Sequence, residues 1–171
     1  MYGLKTISRE AVPNALAKAE RYRLLNEPRE AESICLDVLR VDPANQQALV
    51  TLLLATTDRF GTTLGAAVDH ARQLLPQIQS EYERAYYEGV ILERWAKAQM
   101  EGAMPRHVAG DWLRQAMHCY EKAESIRPPG NDDAILRWNT CARMIDSGLR
   151  HEPETSKPAF VESYDDEVPL V

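Results

Sequence analysis

The sequence predicts an all-α fold of seven helices, and three observations lead to this prediction. Apolar residues recur at helical spacing over most of the chain, whereas the alternation typical of strands is nearly absent. Proline and glycine interrupt the helical pattern at intervals that suit helix ends. The 171 residues, of which 44% are hydrophobic and 27% charged, suffice for one domain with a real core. We expect helix hairpins that stack side by side.

Proline positions define the first helices. Pro13 lies in the first turn of the first helix and Pro28 begins the second, because proline is tolerated where backbone N–H groups have no partner within the helix. Pro43 ends the second helix, since it cannot continue the hydrogen-bond pattern. Thr62 or Thr63 is the expected N-cap of the fourth. The predicted ranges are 12–25, 28–41, 46–58 and 63–75.

The remaining three helices are longer and are separated by glycine, proline and capping residues. Gly102 interrupts the pattern between the fifth and sixth helices, and Pro128 follows the end of the sixth. Asn131 or Asp132 is the expected cap of the seventh, and Gly148 its expected C-terminal stop. The predicted ranges are 79–100, 108–126 and 132–147.

A change in composition marks the end of the helical part. Between His151 and Val171, six acidic residues oppose one lysine, so this segment carries −5 of the formal net charge of −6. It also contains three prolines and no helical pattern of its own. We therefore divide the chain into an N-terminal extension (1–11), a helical body (12–148) and an acidic, proline-containing C-terminal tail (149–171).

A small–large–small spacing recurs in the second helix of each predicted hairpin. Small residues seven positions apart allow two helices to approach, and the side chain between them fills the groove. The sets are Ala116, Tyr120 and Ala123 before Pro128; Ala31, Cys35 and Val38 before Pro43; and Ala67, Ala71 and Leu74 without a following proline.

These stretches resemble the second halves of tetratricopeptide repeats (TPRs). Among the first halves, Ala19 and Tyr22 fit the small and tyrosine positions and Gly89 fits the small position of the fifth helix, whereas Lys18 stands where the family usually has leucine. The resemblance covers about 12–147 and implies a right-handed superhelix of about three TPR-like helix hairpins plus a C-terminal capping helix. An irregular helical bundle is the alternative.

The spacing of the sets departs from a regular repeat. Ala31 and Ala67 are 36 residues apart, close to the TPR length of about 34. Ala67 and Ala116 are 49 residues apart, so roughly 15 residues are inserted there. We place the insertion at the end of the fifth helix and in the loop after it.

The resemblance also implies a binding groove, because the first helix of each TPR pair lines the concave side. By helical phase, the groove residues are Leu16, Glu20, Arg23, Gln47, Val50, Thr51, Leu54, Tyr86, Tyr87, Val90 and Arg94. The phase of the seventh helix is ambiguous, and Asn139 and Arg143 are its exposed candidates. The TPR positions that hold acidic chaperone peptides with lysine and asparagine carry Leu16, Glu20 and Thr51 here. We therefore expect a mixed apolar peptide or helix of a partner protein as the ligand.

The tail is a second candidate for binding. Apolar residues occur among its acids, and those expected to dock are Phe160, Tyr164, Val168 and Leu170. Such a peptide is expected to occupy a groove of its own chain or of a neighbour, and a disordered terminus is the alternative. The alternative function is accordingly a structural subunit that self-associates through this tail to form a homo-oligomer.

Signatures of catalysis and of cofactor or metal binding are absent from the sequence. None of the four histidines lies in a His-Glu-x-x-His or Cys-x2-Cys pattern, and there is no phosphate-binding loop or nucleophile elbow. The three cysteines are interpreted as small buried residues in a reduced compartment. We predict a cytoplasmic protein that is not an enzyme and has no cofactor. An enzymatic or small-molecule-sensing bundle is a distant third reading.

Two classes of partner are disfavoured by charge and hydropathy. The first 150 residues carry only about −1, which argues against nucleic-acid binding. No run of about 18 apolar residues is present, and the N-terminus has no apolar signal region, so no membrane association is expected.

Overall fold

The computed structural model describes residues 3–61, 65–101 and 106–149, and all regular secondary structure in these ranges is helical. Two short 3-10 helices, Arg9–Ala11 and Leu75–Gln77, precede the first and follow the fourth α-helix. The α-helices are α1 (Val12–Leu24), α2 (Pro28–Val41), α3 (Gln46–Thr57), α4 (Ala66–Leu74), α5 (Glu81–Met100), α6 (Arg106–Ser125) and α7 (Asp133–Leu149). The prediction of an all-α chain with seven helices is therefore confirmed for the described ranges.

Proline and capping side chains explain several helix ends. Pro28 begins α2, which has the predicted bounds. The Asn45 Oδ1 atom accepts a hydrogen bond from the Ala48 backbone N–H at 2.9 Å and caps α3. The Ser80 hydroxyl accepts one from the Glu83 N–H at 3.2 Å and caps α5, a cap that the sequence analysis did not assign.

Other helix bounds differ from the prediction. Helix α4 begins at Ala66, and the two threonines predicted to cap it lie outside the described residues. Helix α6 begins at Arg106, two residues earlier than expected. Helix α7 continues to Leu149, so Gly148 does not stop it. Glycine lowers helix stability by about 1 kcal/mol relative to alanine, which is too little to end a helix by itself.

Consecutive helices pack against each other, and α1, α3 and α5 also contact one another in that order. One buried cluster joins α1 to α5, and a second joins α5 to α7. The partly buried Leu54 and Tyr87 pack against both clusters, so the core is continuous along the chain. The N-terminal extension adds Ile7, which packs against a third cluster that includes Leu16.

Helices α5 and α6 approach closely at Gly89. A Cβ atom at this position would lie 2.5 Å from Cε1 of Tyr120, so only glycine fits without a shift. The small residues Ala116 and Ala123, on either side of Tyr120 in the sequence, are fully buried. The small–large–small spacing of the sequence is therefore the contact surface of α6.

Candidate functional site

Polar side chains connect α1 and α3 at both ends of the α3 helix. Near its start, the Gln47 Nε2 atom donates to Glu20 Oε1 at 2.9 Å, and both side chains are exposed. At its end, the Arg23 Nε atom donates to Asp58 Oδ2 at 2.9 Å. Asp58 is the residue that follows the last turn of α3. Of these four residues, Glu20, Arg23 and Gln47 are predicted groove residues. All three lie on one face of the α1–α3 layer.

Arg94 extends this face to α5. Its guanidinium donates to the other carboxylate oxygen of Asp58, to the Thr57 hydroxyl at 2.7 Å and to the Leu54 carbonyl oxygen at 3.3 Å. Burial lowers the pKa of Arg94, Asp58 opposes this shift, and the nearby charges of Arg137 and Arg23 add to it. Asp58 is therefore shared by two arginines from α1 and α5.

A second shared carboxylate, Glu93, lies where α5, α6 and α7 meet. Glu93 is fully buried, and the Tyr120 hydroxyl donates to its Oε2 atom at 2.6 Å. The Arg137 Nη1 atom donates to Oε1 at 3.1 Å, and Lys97 Nζ donates to the same oxygen. Both Glu93 oxygens are thus occupied by donors from three helices.

The electrostatics keep Glu93 ionised. Burial raises its pKa, but hydrogen bonds from Lys97 and Tyr120 and the charge of Arg137 outweigh burial and lower the pKa below its usual value. Burial and the adjacent carboxylate raise the pKa of Tyr120, so its phenol keeps its proton. A general base needs a pKa near the working pH, so this carboxylate is suited to holding cations rather than to moving protons.

A pocket of about 250 Å³ lies between α5 and α7, next to Glu93. Besides Glu93 it is lined by Tyr86, Lys97, Asp133, Leu136, Arg137 and Thr140. The Leu136 side chain is 63% exposed, and those of Lys97 and Arg137 are 39% and 30% exposed. Tyr86 stacks on Tyr82 with a centroid distance of 5.9 Å, which makes one wall of the pocket aromatic. The pocket therefore offers charged, aromatic and apolar contacts together.

Three of the predicted groove residues belong to the core instead. Leu16 and Thr51 are each 4% exposed, and Val90 is fully buried. Leu16 packs with Val38 of α2, and the other two point between helices rather than out of them. We remove these three from the set that can contact a partner. Helical phase alone predicts the direction in which a side chain points only to within about one residue, which is a rotation of about 100° around the helix axis.

The predicted residues of α7, Asn139 and Arg143, do not line the pocket, whose α7 residues are Asp133, Leu136, Arg137 and Thr140. Arg143 is exposed and lies seven residues after Leu136, so it projects from nearly the same side of the helix. Asn139 is partly buried, and both residues stay candidates for contact with a partner. Val50, Leu54, Tyr86 and Tyr87 are partly buried, and these remain candidates together with Glu20, Arg23, Gln47 and Arg94.

The sequence analysis did not single out four residues of these polar groups: Asp58, Glu93, Lys97 and Arg137. The spacing of Glu93 and Lys97, four apart on one helix, could have indicated an ion pair. Nothing local could have shown that Glu93 is buried, because its partner Arg137 is 44 residues away. The tail residues predicted to dock, Phe160, Tyr164, Val168 and Leu170, lie outside the described residues.

The three cysteines are free thiols, two of them buried and one partly buried. Burial raises the pKa of Cys35 and Cys141 to about 12 and that of Cys119 to about 11, so all three are thiols at neutral pH. In the described ranges, no group of three or more His, Cys, Asp or Glu residues is placed to hold a metal ion. Likewise, no helix among the described residues combines the length and apolarity needed to cross a membrane.

In comparisons with known proteins, the chain matches no protein-family model, no curated protein and no solved structure. The resemblance to TPR proteins therefore stays a prediction from the residues named in the sequence analysis.

Proposed function

We propose that this chain is a TPR-like helical repeat protein that binds a peptide or helix of a partner protein. The binding surface would be the groove face, defined here as the side of α1, α3, α5 and α7 that carries the shared carboxylates. The proposal includes a right-handed superhelix of about three hairpins capped by α7, and a cytoplasmic location. The close contact of Gly89 with Tyr120 and the three free cysteines support it.

The observation that carries the proposal is a polar row across α1, α3, α5 and α7, made of three hydrogen-bonded groups. Glu20 pairs with Gln47, Asp58 joins Arg23 to Arg94, and Glu93 joins Lys97 to Arg137. Each of its four cations is partly exposed. A guanidinium has five N–H donors, of which these pairs use only some, so donors remain for a ligand.

Apolar and aromatic groups lie beside this polar row. Leu136 lines the pocket on α7, and Leu24, which is 88% exposed, lies one turn after Glu20 on α1. Tyr86 adds an aromatic surface between them. Arginine and tyrosine are enriched in protein interfaces, where apolar contacts are surrounded by polar groups. The mixture suits an amphipathic peptide better than a nucleic acid or a small metabolite.

Affinity capture with a matched pair of variants tests this function. Leu136→Asp places a charge on the groove face, and Leu36→Asp makes the same change at a 46% exposed leucine of α2. Both positions are exposed, so each substitution should change the free energy of unfolding by less than about 0.5 kcal/mol, which thermal melting verifies. The amount of partner captured by the Leu136→Asp chain should be at least about tenfold lower than the amount captured by wild type or by the Leu36→Asp chain. Equal capture by all three chains contradicts the proposal.

A further inference from the structure

One half of the groove face is basic. Four cations, Arg23, Arg94, Lys97 and Arg137, surround two carboxylates, Asp58 and Glu93, which leaves a net charge of +2. We call these residues the basic half. Asp133 lines the pocket beside Lys97 and Arg137 and lowers the net charge of the surroundings to +1, and the exposed Glu20 lies one turn before Arg23 on α1. An acidic segment would therefore bind the basic half in preference to the rest of the face.

The basic half lies on the side of the groove face that is nearer to the C-terminal end of α7. The starts of α5 and α7 are adjacent, because the Tyr82 hydroxyl donates to Asn131 Oδ1 at 2.9 Å just before α7. Farther along both helices, Glu93 meets Arg137. The two helices therefore run in the same direction. Leu149, the last residue of α7, lies about 18 Å along the helix axis beyond Arg137.

The chain after Leu149 has the complementary chemistry and sufficient length. Four of the six residues from Glu162 to Glu167 are acidic, and Phe160 and Val168 flank them. The twelve intervening residues, 150–161, could span up to about 40 Å when extended, which exceeds the distance back to Arg137. A short tether gives its end an effective concentration in the millimolar range, so even a weak site would be filled.

We propose that the acidic stretch Glu162–Glu167 binds the basic half of its own groove face. In this arrangement the carboxylates contact the free donors of Arg94, Lys97 and Arg137, and Phe160 or Tyr164 covers the exposed Leu136. The inference rests on the proposed function in one respect: the tail and a partner would compete for the same face. It also implies that the partner's segment is acidic.

A labelled peptide tests this inference with the full chain. The probe is fluorescein-labelled peptide 158–171, and its binding is followed by fluorescence anisotropy at low ionic strength. The tail-neutral chain carries Glu162→Gln, Asp165→Asn, Asp166→Asn and Glu167→Gln. It should bind the peptide at least about tenfold more tightly than wild type, because the tethered competitor has lost its charge.

A variant of position 136 in the tail-neutral chain tests the site. Leu136→Asp should weaken peptide binding by about three- to tenfold, because it removes an apolar contact and adds a like charge, whereas Leu36→Asp should have no effect. Absence of binding to the tail-neutral chain, or insensitivity to Leu136, overturns the inference.

Three further results separate this inference from assembly between chains and from the proposed function. If wild type forms oligomers in light scattering that dissociate in the tail-neutral chain, the tail acts between chains and binding within one chain is wrong. If the peptide fails to bind while partner capture still depends on Leu136, the tail inference fails and the proposed function stands. Peptide binding that depends on Leu136, with partner capture that does not, supports the tail inference and contradicts the proposed function.

Discussion

At the scale of single residues, the most informative side chain is Glu93. A buried carboxylate is costly unless its charge is compensated, and here Lys97, Arg137 and Tyr120 compensate it. These donors come from three helices, so the same carboxylate that balances the basic half also fixes α7 against α5 and α6. The sequence analysis did not single out Glu93, because a glutamate usually lies in solvent, even where apolar residues such as Ile91 and Leu92 precede it.

Removing the charge of Glu93 should weaken the fold. We expect Glu93→Gln to lower the free energy of unfolding by about 2–4 kcal/mol, because Lys97 and Arg137 lose their counter-charge. The exposure of these two cations keeps the loss below that of a fully buried pair. The control is Glu88→Gln, the same change at an exposed position of α5, which should cost less than about 0.5 kcal/mol. Urea unfolding measures both, and equal losses contradict the assigned role.

The same residue should make stability depend on pH. The folded-state pKa of Glu93 is below its usual value, so its stabilisation is complete above the unfolded pKa of about 4.3. It is lost as the pH falls through the folded pKa. The difference in unfolding free energy between wild type and Glu93→Gln should therefore be constant from about pH 5 to 7 and shrink below about pH 4. A difference that grows on acidification would show that Glu93 is protonated in the fold.

At the scale of helices, the sequence was most informative where a residue acts locally. Pro28 begins α2 as predicted, since proline acts through its own ring. The start of α4 and the end of α7 differ from the prediction, and at Gly148 the reason is that one glycine costs too little to end a helix. The spacing around Tyr120 predicted the contact surface of α6, because close packing needs small residues at fixed intervals. The contacts between α5 and α7 were missed, because they depend on residues far apart in the chain.

The contact between α5 and α6 can be tested with two glycines. Gly89→Ala should lower the free energy of unfolding by about 1–3 kcal/mol, because the new methyl group would overlap the ring of the buried Tyr120. Gly110→Ala in α6 is the matched control, since its Cβ would lie 3.6 Å from the nearest atom of Arg114. There the higher helix propensity of alanine should raise stability by about 0.5–1 kcal/mol. Losses of similar size at both positions contradict the close approach.

At the scale of the whole molecule, two shared carboxylates connect helices that are not consecutive in the chain. Asp58 joins α1 and α5 through Arg23 and Arg94, and Glu93 joins α5 and α7 through Arg137. In the proposed helical repeat, where most contacts are between neighbours, such bridges would help the helices to unfold as one unit. A ligand that engages the same cations would stabilise the fold through mass action.

Asp58→Asn tests this bridging. We expect a loss of about 1–2 kcal/mol at low salt, because two partly buried ion pairs are broken, and a smaller loss in 1 M NaCl, because salt already screens them. Asp111→Asn, which breaks an exposed pair with Arg114 within α6, should cost less than about 0.5 kcal/mol. Thermal melts at both salt concentrations measure these effects. An equal loss for both variants would contradict the role of Asp58 as a bridge.

The central claim, that partners bind the groove face, is tested most directly by site-specific photo-crosslinking. A benzophenone amino acid is placed in turn at Leu136 and Leu24 on this face and at the exposed Leu36 of α2, and adducts are identified by mass spectrometry. The account predicts partner adducts at positions 136 and 24, reduced by an excess of the acidic peptide 158–171, and none at position 36. Adducts at position 36 alone would place the partner on another surface and contradict the account.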